Sequence, residues 1–453
     1  MYSKLPEESL GRFFLRRFAN EPRPNLFWLK GVPTPKGAIS MPDMPVPSSF
    51  YERPNVEKSV IPVGPGVPLG LEGVFNPRLG IGGVYGSWGQ SYGNEALPSF
   101  IAERNGRHLE ADDVLNLAEL GFNYRQHVPK LNQADDMRLE LEVGARLLKK
   151  TIETCGWDAA EIAGVLIGMT GPISLDYIRQ ISRMAGIPES ALKVSVHKAC
   201  DGSMGALHLA LNPVLSQPGG LNIAEHLRGK KVLVGGIEGL SRITCRTTDK
   251  NALQLFGNGM GAIGVIPGET MRLLVGKSYE TYDAEGLLAV KMEYPHSGLK
   301  AEASLLDVTR ELENEVRIAG LMNEPRNGES VEMAGLMGMV KLFVRNGVQV
   351  VEDVYREYQS LMERMGETGK SITMGIVHHA NYKINALKAK HLSKLGVEFP
   401  MPWLLSDFGN VSAASNIIAF LRKLPEINLG DHILFDGFGA GTYYDVMAVA
   451  MGE

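Results

Sequence analysis

The stretch VSVHKACDGSMGALHLAL (Val194–Leu211) has the pattern that decides the fold of this chain. It opens on a short β-branched run, and a lone cysteine, Cys200, follows a few residues later. Small residues come next, and from Met204 onward the apolar residues have the spacing of a helix that packs on a core. The stretch therefore predicts a strand that turns sharply into a buried helix.

The position of Cys200 at this turn indicates chemistry. A helix N-terminus presents free N–H groups and the positive end of the helix dipole. A thiol held there has a lowered pKa and becomes a better nucleophile. These residues alone are equally compatible with a small buried apolar side chain, because most cysteines have that role.

The composition limits the class of protein. A chain of 453 residues with 44% hydrophobic residues and 52 glycines predicts a folded α/β protein with two domains or two fused halves. The net charge of −5 provides no basic surface for nucleic acid. Three widely spaced cysteines suit neither a disulfide framework nor a zinc cluster, and no apolar run has the length of a membrane span. We therefore expect a cytoplasmic protein without a bound metal.

Residues 1–78 differ from the rest of the chain. They include a basic, aromatic segment and a segment rich in proline and glycine, which predict an extended arm over the surface or over a partner subunit. Regular structure is expected from Leu79. The expected elements are helices over Asp135–Thr154, Ile178–Met184 and Met333–Glu357, and buried strands over Ile162–Thr170, Lys231–Gly235 and Gly261–Ile266.

An internal repeat divides the remaining chain into halves 79–275 and 276–453. IAGVLIGMTGP, from Ile162, resembles ITMGIVHHANY, from Ile372, and the stretch around Cys200 resembles WLLSDFGNVSAASNIIAFL around Asn410. Cys200 follows Ile162 by the same interval as Asn410 follows Ile372. The repeat predicts two βαβ-type halves packed about a pseudo-twofold axis, with polar turns from both halves meeting at shared strand ends.

Four motifs in a fixed order resemble those of the thiolase-like condensing enzymes. The chain reads ACDG, HHAN, FGNVSAAS and FGAG, where 3-oxoacyl-acyl-carrier-protein synthase III and its relatives have ACxG, HQAN, YGNTSAAS and FGGG. The resemblance is greatest to that family and covers roughly residues 80–453. It implies an α/β fold of two pseudo-symmetric βαβαβ-type halves, packed as a layered αβαβα sandwich.

The resemblance also implies roles for individual residues. Cys200 would be the acylated nucleophile, and His378 and Asn410 would donate hydrogen bonds to the enolate of a second thioester. The oxyanion formed on the acyl-cysteine would lie on the backbone N–H of Cys200 and on another from Gly439–Gly441.

Two lysines, Lys383 and Lys390, fall on the helix after His378, where the family has basic residues for the phosphopantetheine of the carrier protein. A solvated helix face is the alternative for both. His379 is expected to orient its turn. Structural roles are expected for His208, Cys155 and Cys245, and a structural ion pair or dimer contact for Glu238 and Arg242.

The implied activity is Claisen condensation of acyl thioesters by a homodimer. The substrates would be carried on coenzyme A or acyl carrier protein, with no permanently bound cofactor. Two alternatives remain open: acyl transfer to an oxygen or nitrogen acceptor by the same three residues, and a non-catalytic partner subunit. Asp201 departs from the family, which usually has a small residue there, and its carboxylate would oppose thiolate formation unless it points away. Otherwise it would help to select an unusual acyl donor.

Overall fold

A computed structural model describes residues 59–215, 221–245, 247, 249–280, 306–320, 336–440 and 443–452. Residues 1–58 of the arm predicted for residues 1–78 lie outside the described residues. The strands are β1 (Ser59–Val63), β2 (Val67–Asn76), β3 (Ile81–Trp88), β4 (Gln90–Gly93), β5 (Tyr124–His127), β6 (Ile162–Gly168), β7 (Leu192–His197), β8 (Lys231–Glu238), β9 (Gly259–Val265), β10 (Met271–Glu280), β11 (Leu306–Leu312), β12 (Glu315–Gly320), β13 (Ile372–Val377), β14 (His432–Gly439) and β15 (Tyr443–Met451).

Helices of very different length connect these strands. They are α1 (Leu97–Asn105), α2 (Gln133–Thr154), α3 (Tyr177–Met184), α4 (Gly202–Leu211), α5 (Ile223–Leu227), α6 (Leu240–Thr244), α7 (Lys250–Leu255), α8 (Leu336–Met365), α9 (Tyr382–Lys394) and α10 (Ser415–Lys423). Short 3₁₀ turns over Ala199–Asp201 and Ser412–Ala414 precede α4 and α10. The helices and buried strands expected from hydrophobic periodicity are present, with ends that differ by a few residues.

Two sheets have the same internal order, which confirms the repeat. The larger sheet runs β1-β2-β3-β9-β8-β6-β7-β12-β11, and the smaller runs β10-β15-β14-β13. In the first half β6 and β8 are parallel and β9 is antiparallel to β8. In the second half β13 and β14 are parallel and β15 is antiparallel to β14. The order β3-β9-β8-β6 is therefore repeated as β10-β15-β14-β13.

Helices and sheets alternate in five layers. Every residue of α4 is buried, and this helix packs on β6 and β8 on one side and on β14 and β15 on the other. Helix α10 likewise contacts both sheets. On the outer faces, α2 packs on β2 and β3, whereas α8 packs on β10 and β15. This is the αβαβα sandwich expected from the sequence.

The amphipathic pattern of α2 shows why the outer layer forms. Leu139, Val143 and Leu147 are buried against the larger sheet, and the opposite face of the helix is charged. The side chain of Asn132 accepts a hydrogen bond from the backbone N–H of Asp135 and caps the first turn. None of the helices described in this structure is long and apolar enough to cross a membrane.

The arm predicted for residues 1–78 ends earlier than expected. Strands β1 and β2 lie within it and form an antiparallel pair at one edge of the larger sheet. Buried Val67, Leu69 and Leu71 alternate along β2, which is the pattern of a strand with one face on the core. Prolines and glycines between these apolar residues hide the alternation in the sequence.

The boundary at 275/276 does not coincide with the division between the sheets. Strand β10 begins in the first half of the sequence but belongs to the smaller sheet. The hairpin β11–β12, from the second half, extends the larger sheet because β12 pairs in parallel with β7. The two halves therefore exchange strands at their junction.

Candidate active site

The nucleophile turn follows β7 as the sequence predicts. Ala199 has a φ of 46°, a left-handed conformation that is strained for any residue with a Cβ atom. The 3₁₀ turn over Ala199–Asp201 then leads into α4. Within residues 192–211, Cys200 alone is partly exposed, and every other side chain is buried. The strained turn thus places Cys200 where the buried stretch meets solvent.

The segment at the end of β14 lies directly against this turn. A Cβ atom on Gly439 would come within 2.5 Å of the Lys198 carbonyl oxygen and 3.1 Å of the Cys200 nitrogen, so only glycine allows the approach. The backbone N–H of the next residue, Ala440, donates a hydrogen bond to the Cys200 sulfur. Gly441, the other predicted oxyanion residue, lies outside the described residues.

The second half supplies a matching strained turn. Ser412 has a φ of 45°, and its turn leads into α10 as the Ala199 turn leads into α4. By distance from the helix start, the counterpart of Cys200 is therefore Ala413 and not Asn410, although the sequence intervals suggest Asn410. The stretch before Asn410 also lacks the strand that the repeat predicts in the described chain.

The Asn410 side chain is bonded to two of the loops of the site. Its Oδ1 accepts a hydrogen bond from the Ser412 backbone N–H at 2.9 Å, as expected for a residue that caps a turn. Its Nδ2 donates to the Ala380 carbonyl oxygen at 3.3 Å. Because a carboxamide has two N–H bonds, the second N–H is left for another acceptor.

His378, directly after β13, is a neutral imidazole. Burial lowers its pKa to about 3, with smaller contributions from His379 and Lys388. Its Nδ1 lies 2.5 Å from the Ser415 hydroxyl. The tautomer that accepts at Nδ1 carries its proton on Nε2, which has no hydrogen-bond partner in the described chain. In that tautomer His378 offers one N–H donor, at Nε2.

Hydrogen bonds connect the three predicted loops. The Ser412 hydroxyl donates to the Cys200 sulfur at 3.4 Å, and the Ser412 backbone is bonded to the Asn410 side chain. Asn410 in turn is bonded to Ala380, two residues after His378. Sulfur, carboxamide and imidazole thus come from loops that meet at one place between the two sheets.

The expected lowering of the Cys200 pKa is wrong. Protein atoms surround most of the thiol, and burial raises its pKa to about 12, with a further increase from the negative charge of Glu238. Hydrogen bonds from Ser412 and Ala440 lower the pKa of the thiol, but by less than burial raises it. Cys200 is therefore protonated at neutral pH, and a base would have to take its proton before the sulfur could act as a nucleophile.

Asp201 points away from the thiol into a buried cluster. Its carboxyl group bonds that of Asp445 and accepts a hydrogen bond from the Asp445 backbone N–H. A bond between two carboxyl groups needs a proton, and burial raises the pKa of Asp201 well above its usual value. Asp445 stays ionised because Lys198 and His208 donate to it, at 2.9 and 2.6 Å.

A buried carboxylate near Cys200 is the main feature that the sequence pattern does not reveal. Glu238, at the end of β8, accepts hydrogen bonds from the Thr170 backbone N–H and hydroxyl, both at 2.8 Å, and from the Ala413 backbone N–H at 3.2 Å. Burial raises its pKa to about 7. The sequence suggests an ion pair or dimer contact here, whereas Glu238 lies inside the chain, bonded to the turn that touches the sulfur.

The lysines of α9 differ in their surroundings. Lys383 forms an ion pair with Glu119, with Nζ and Oε2 2.5 Å apart, and Lys390 is exposed. Their carrier-binding role stays a prediction. A third lysine, Lys388, is buried, pairs with Asp436 and lies 4.5 Å from the Phe438 ring centroid. It lowers the pKa of His378 and could not be recognised from sequence.

The remaining polar residues have structural contacts. His379 Nε2 accepts a hydrogen bond from the Leu404 backbone N–H at 3.0 Å and so fixes its turn, as predicted. Cys155 is buried, which raises the pKa of its thiol to about 11. Among the residues that the structure describes, no group of three or more His, Cys, Asp or Glu side chains could hold a metal ion.

The chain is similar in sequence to known proteins over much of its length. Residues 362–451 match the family described as 3-oxoacyl-[acyl-carrier-protein (ACP)] synthase III C terminal. Beta-ketoacyl-[acyl-carrier-protein] synthase III 1 of Halalkalibacterium halodurans is 25% identical over 350 residues, which cover 77% of this chain and 92% of that protein.

Solved structures extend the likeness to the whole fold. The 3-oxoacyl-[acyl-carrier-protein] synthase III from Aquifex aeolicus has a TM-score of 0.51 at 17% identity, covering 85% of this chain and 100% of its own. The 1,3,6,8-tetrahydroxynaphthalene synthase from Streptomyces coelicolor, a type III polyketide synthase, has a TM-score of 0.52 at 15% identity, with 82% and 98% covered. At these identities the match shows the fold alone.

The chain has a thiolase-like fold, with five layers and a repeated strand order. Its sequence is similar to 3-oxoacyl-acyl-carrier-protein synthase III, which confirms the resemblance seen in the motifs.

Proposed function

We propose that this protein is an acyltransferase that forms a carbon–carbon bond by Claisen condensation of acyl thioesters through acyl-Cys200. The observation that carries the proposal is the meeting of a partly exposed thiol, a neutral imidazole and a carboxamide with one N–H left over. The likeness to condensing enzymes supports it at the level of the family.

The first half-reaction acylates the nucleophile. The Cys200 sulfur attacks the thioester carbonyl carbon, the carbon–sulfur bond to the carrier breaks, and the carrier leaves as a thiol. The negative oxygen of the tetrahedral intermediate needs hydrogen-bond donors at the turn. The backbone N–H of Cys200 and those at the end of β14, beside Gly439, are the donors that lie there.

The second half-reaction needs a carbanion, formed by loss of carbon dioxide from a malonyl thioester or by removal of an α-proton from a plain acyl thioester by a separate base. His378 and Asn410 suit its formation. The enolate oxygen of the second thioester would accept hydrogen bonds from His378 Nε2–H and Asn410 Nδ2–H. Because the pKa of His378 is lowered to about 3, the ring stays neutral and donates this N–H without offering an acidic imidazolium that would protonate the carbanion. The carbanion then attacks acyl-Cys200 and releases the sulfur.

Mass spectrometry after incubation with acyl-coenzyme A donors of graded chain length tests the proposal. We expect one acyl adduct, located on Cys200 and lost in Cys200→Ser. A second thioester should then release the acyl group as a longer 3-oxo product, with carbon dioxide if malonyl-coenzyme A is used. A wild-type protein that takes no acyl group from either coenzyme A or acyl carrier protein would support the partner-subunit alternative. If acyl-Cys200 passes its acyl group only to an alcohol or an amine, the activity is acyl transfer to oxygen or nitrogen and not condensation.

Carrier binding, homodimer formation and a cytoplasmic location complete the proposal. Lys383 and Lys390 are the basic residues offered to a phosphopantetheine carrier. The edge of β7 is paired with β12 of the same chain, so it is not open to a strand of a second copy. Light scattering with size-exclusion chromatography measures the assembly, and a monomer at micromolar concentration would remove the dimer from the proposal.

A further inference from the structure

We propose that Glu238 receives the proton of the Cys200 thiol through the hydroxyl groups of Ser412 and Thr170. The inference rests on the proposed acylation of Cys200 and assigns a base to that step. Glu238 is buried inside the protein, yet it is linked to the reactive sulfur by side-chain hydroxyls alone.

The contacts form a continuous path. The Ser412 Oγ lies 3.4 Å from the Cys200 Sγ and 2.9 Å from the Thr170 Oγ1. The Thr170 hydroxyl donates to the Glu238 Oε1 at 2.8 Å. A hydroxyl can accept one proton while it passes on its own, so each link works in both directions. Ser412 also bonds Glu238 directly, which shortens the path by one step.

The backbone that holds this path in place is strained at Ser412. Ser412 keeps its left-handed conformation because its N–H is bonded to Asn410 and the following N–H, of Ala413, is bonded to Glu238. Strained residues persist where the surroundings over-determine them, and such residues cluster at functional sites. The strain here positions one hydroxyl between the sulfur and the carboxylate.

Other ionisable groups near the thiol are less suited to take its proton. His378 has its Nδ1 occupied by Ser415 and remains neutral far below physiological pH. Asp201 already carries a proton, in its bond to Asp445. Glu238 is a carboxylate whose proton affinity burial has raised toward that of a base at neutral pH.

The proton balance of the step is closed. The Cys200 S–H bond breaks, and its proton moves to Ser412 while protons shift along the path to Glu238. The sulfur forms a bond to the acyl carbon, and the bond from that carbon to the carrier sulfur breaks. The leaving thiolate then takes the proton back from Glu238 along the same hydroxyls, so the carrier departs as a thiol.

The pH profile of Cys200 alkylation by iodoacetamide, followed by peptide mass spectrometry, tests the path without any acyl donor. In the wild type the rate should rise about tenfold per pH unit until Glu238 is ionised, near pH 7, and then level off, because the thiolate form pairs with protonated Glu238. In Glu238→Gln the rate should keep rising about tenfold per unit through pH 9. The glutamine side chain of this variant retains an acceptor oxygen for Thr170 and Ala413, so the turn is preserved.

Glu140 offers a matched control on the neighbouring helix α2. It is buried, its pKa is also raised to about 7, and it lies beside Gly239 near Arg242. The charged groups that act on its pKa are Arg242, which lowers it, and Asp136, which raises it. Neither belongs to the hydroxyl path. Glu140→Gln should therefore keep the plateau of the alkylation profile.

A second variant keeps the proposal testable if Glu238→Gln does not fold. Ser412→Ala removes the hydroxyl that touches the sulfur, and single-turnover acylation at pH 7 should fall about 100-fold. A Glu238→Gln profile that superimposes on the wild-type profile, or undiminished acylation in Ser412→Ala, would overturn the path. The predicted profile without any acyl adduct would instead leave the path standing and remove the proposed function.

Discussion

Lys198 and Asp445 form an ion pair, with Nζ and Oδ2 2.9 Å apart, that joins the nucleophile turn to the smaller sheet. Both side chains are buried, and His208 donates to the other oxygen of Asp445. The residue before the strained Ala199 is thereby anchored to β15, on the opposite side of the central helices. The placement of Cys200 depends on this pair, since Asp201 on its other side bonds the same carboxylate.

Breaking this pair should destabilise the fold strongly. Asp445→Leu leaves the Lys198 charge buried without its partner, and we expect the free energy of unfolding to fall by about 3–5 kcal/mol. The double variant Lys198→Met, Asp445→Leu should lose less than the sum of the single variants. Denaturant unfolding measures both, and Glu153→Gln is the control. That residue pairs with Lys150 on the surface and should cost under about 0.5 kcal/mol. Additive losses in the double variant would show that the pair is not coupled.

His378 should act in condensation and not in acylation. Removing one oxyanion donor in His378→Ala should lower the condensation rate by about 10²–10³, while single-turnover acylation of Cys200 changes by less than about threefold. Because the pKa of His378 is held to about 3, its protonation should leave no inflection in the rate between pH 5 and 8. An equal loss in both half-reactions would make His378 the base for the thiol and would count against Glu238.

The sequence was sufficient for the fold because its strongest patterns are local. The apolar runs at Ile162 and Ile372 and the amphipathic α2 are visible without tertiary information. The motifs around Cys200 and Asn410 also indicated both turns, although the interval paired Cys200 with Asn410 whereas the structure pairs it with Ala413. The exchange of β10 and β12 between the halves was not predictable, because pairing partners are fixed by packing and not by local periodicity.

Electrostatics near Cys200 was the least predictable part of the site. A helix N-terminus suggests a lowered thiol pKa, but burial and the charge of Glu238 reverse the direction. Glu238 lies 38 residues after Cys200 and contacts it only through Thr170 and Ser412, from two other loops. Such a path forms only when the two halves pack together, so it cannot be predicted from residue spacing in the sequence.

Gly439 should be irreplaceable for the nucleophile turn. A Cβ atom would lie 2.5 Å from the Lys198 carbonyl oxygen and 2.8 Å from the Asp201 nitrogen, and backbone atoms cannot move aside cheaply. We expect Gly439→Ala to lower the free energy of unfolding by about 2 kcal/mol and to slow acylation of Cys200 at least about tenfold. Gly369→Ala is the control because nothing lies within 4 Å of that position. Normal acylation in Gly439→Ala would mean that the turn has room to shift.

Glu238 should lower the free energy of unfolding at neutral pH, because burial disfavours its ionised form. Its pKa of about 7 in the folded protein exceeds the ordinary value of 4.5, so the folded state binds this proton more tightly than the unfolded state. The stabilising contribution of the protonated group is complete below pH 4.5 and is lost as the pH rises through 7. The glutamine side chain that replaces it in Glu238→Gln does not titrate. The free energy of unfolding of Glu238→Gln relative to wild type should therefore increase by about 2–3 kcal/mol between pH 4.5 and 8. Denaturant unfolding at several pH values measures the difference, and a constant difference across the range would show that the folded-state pKa is not raised.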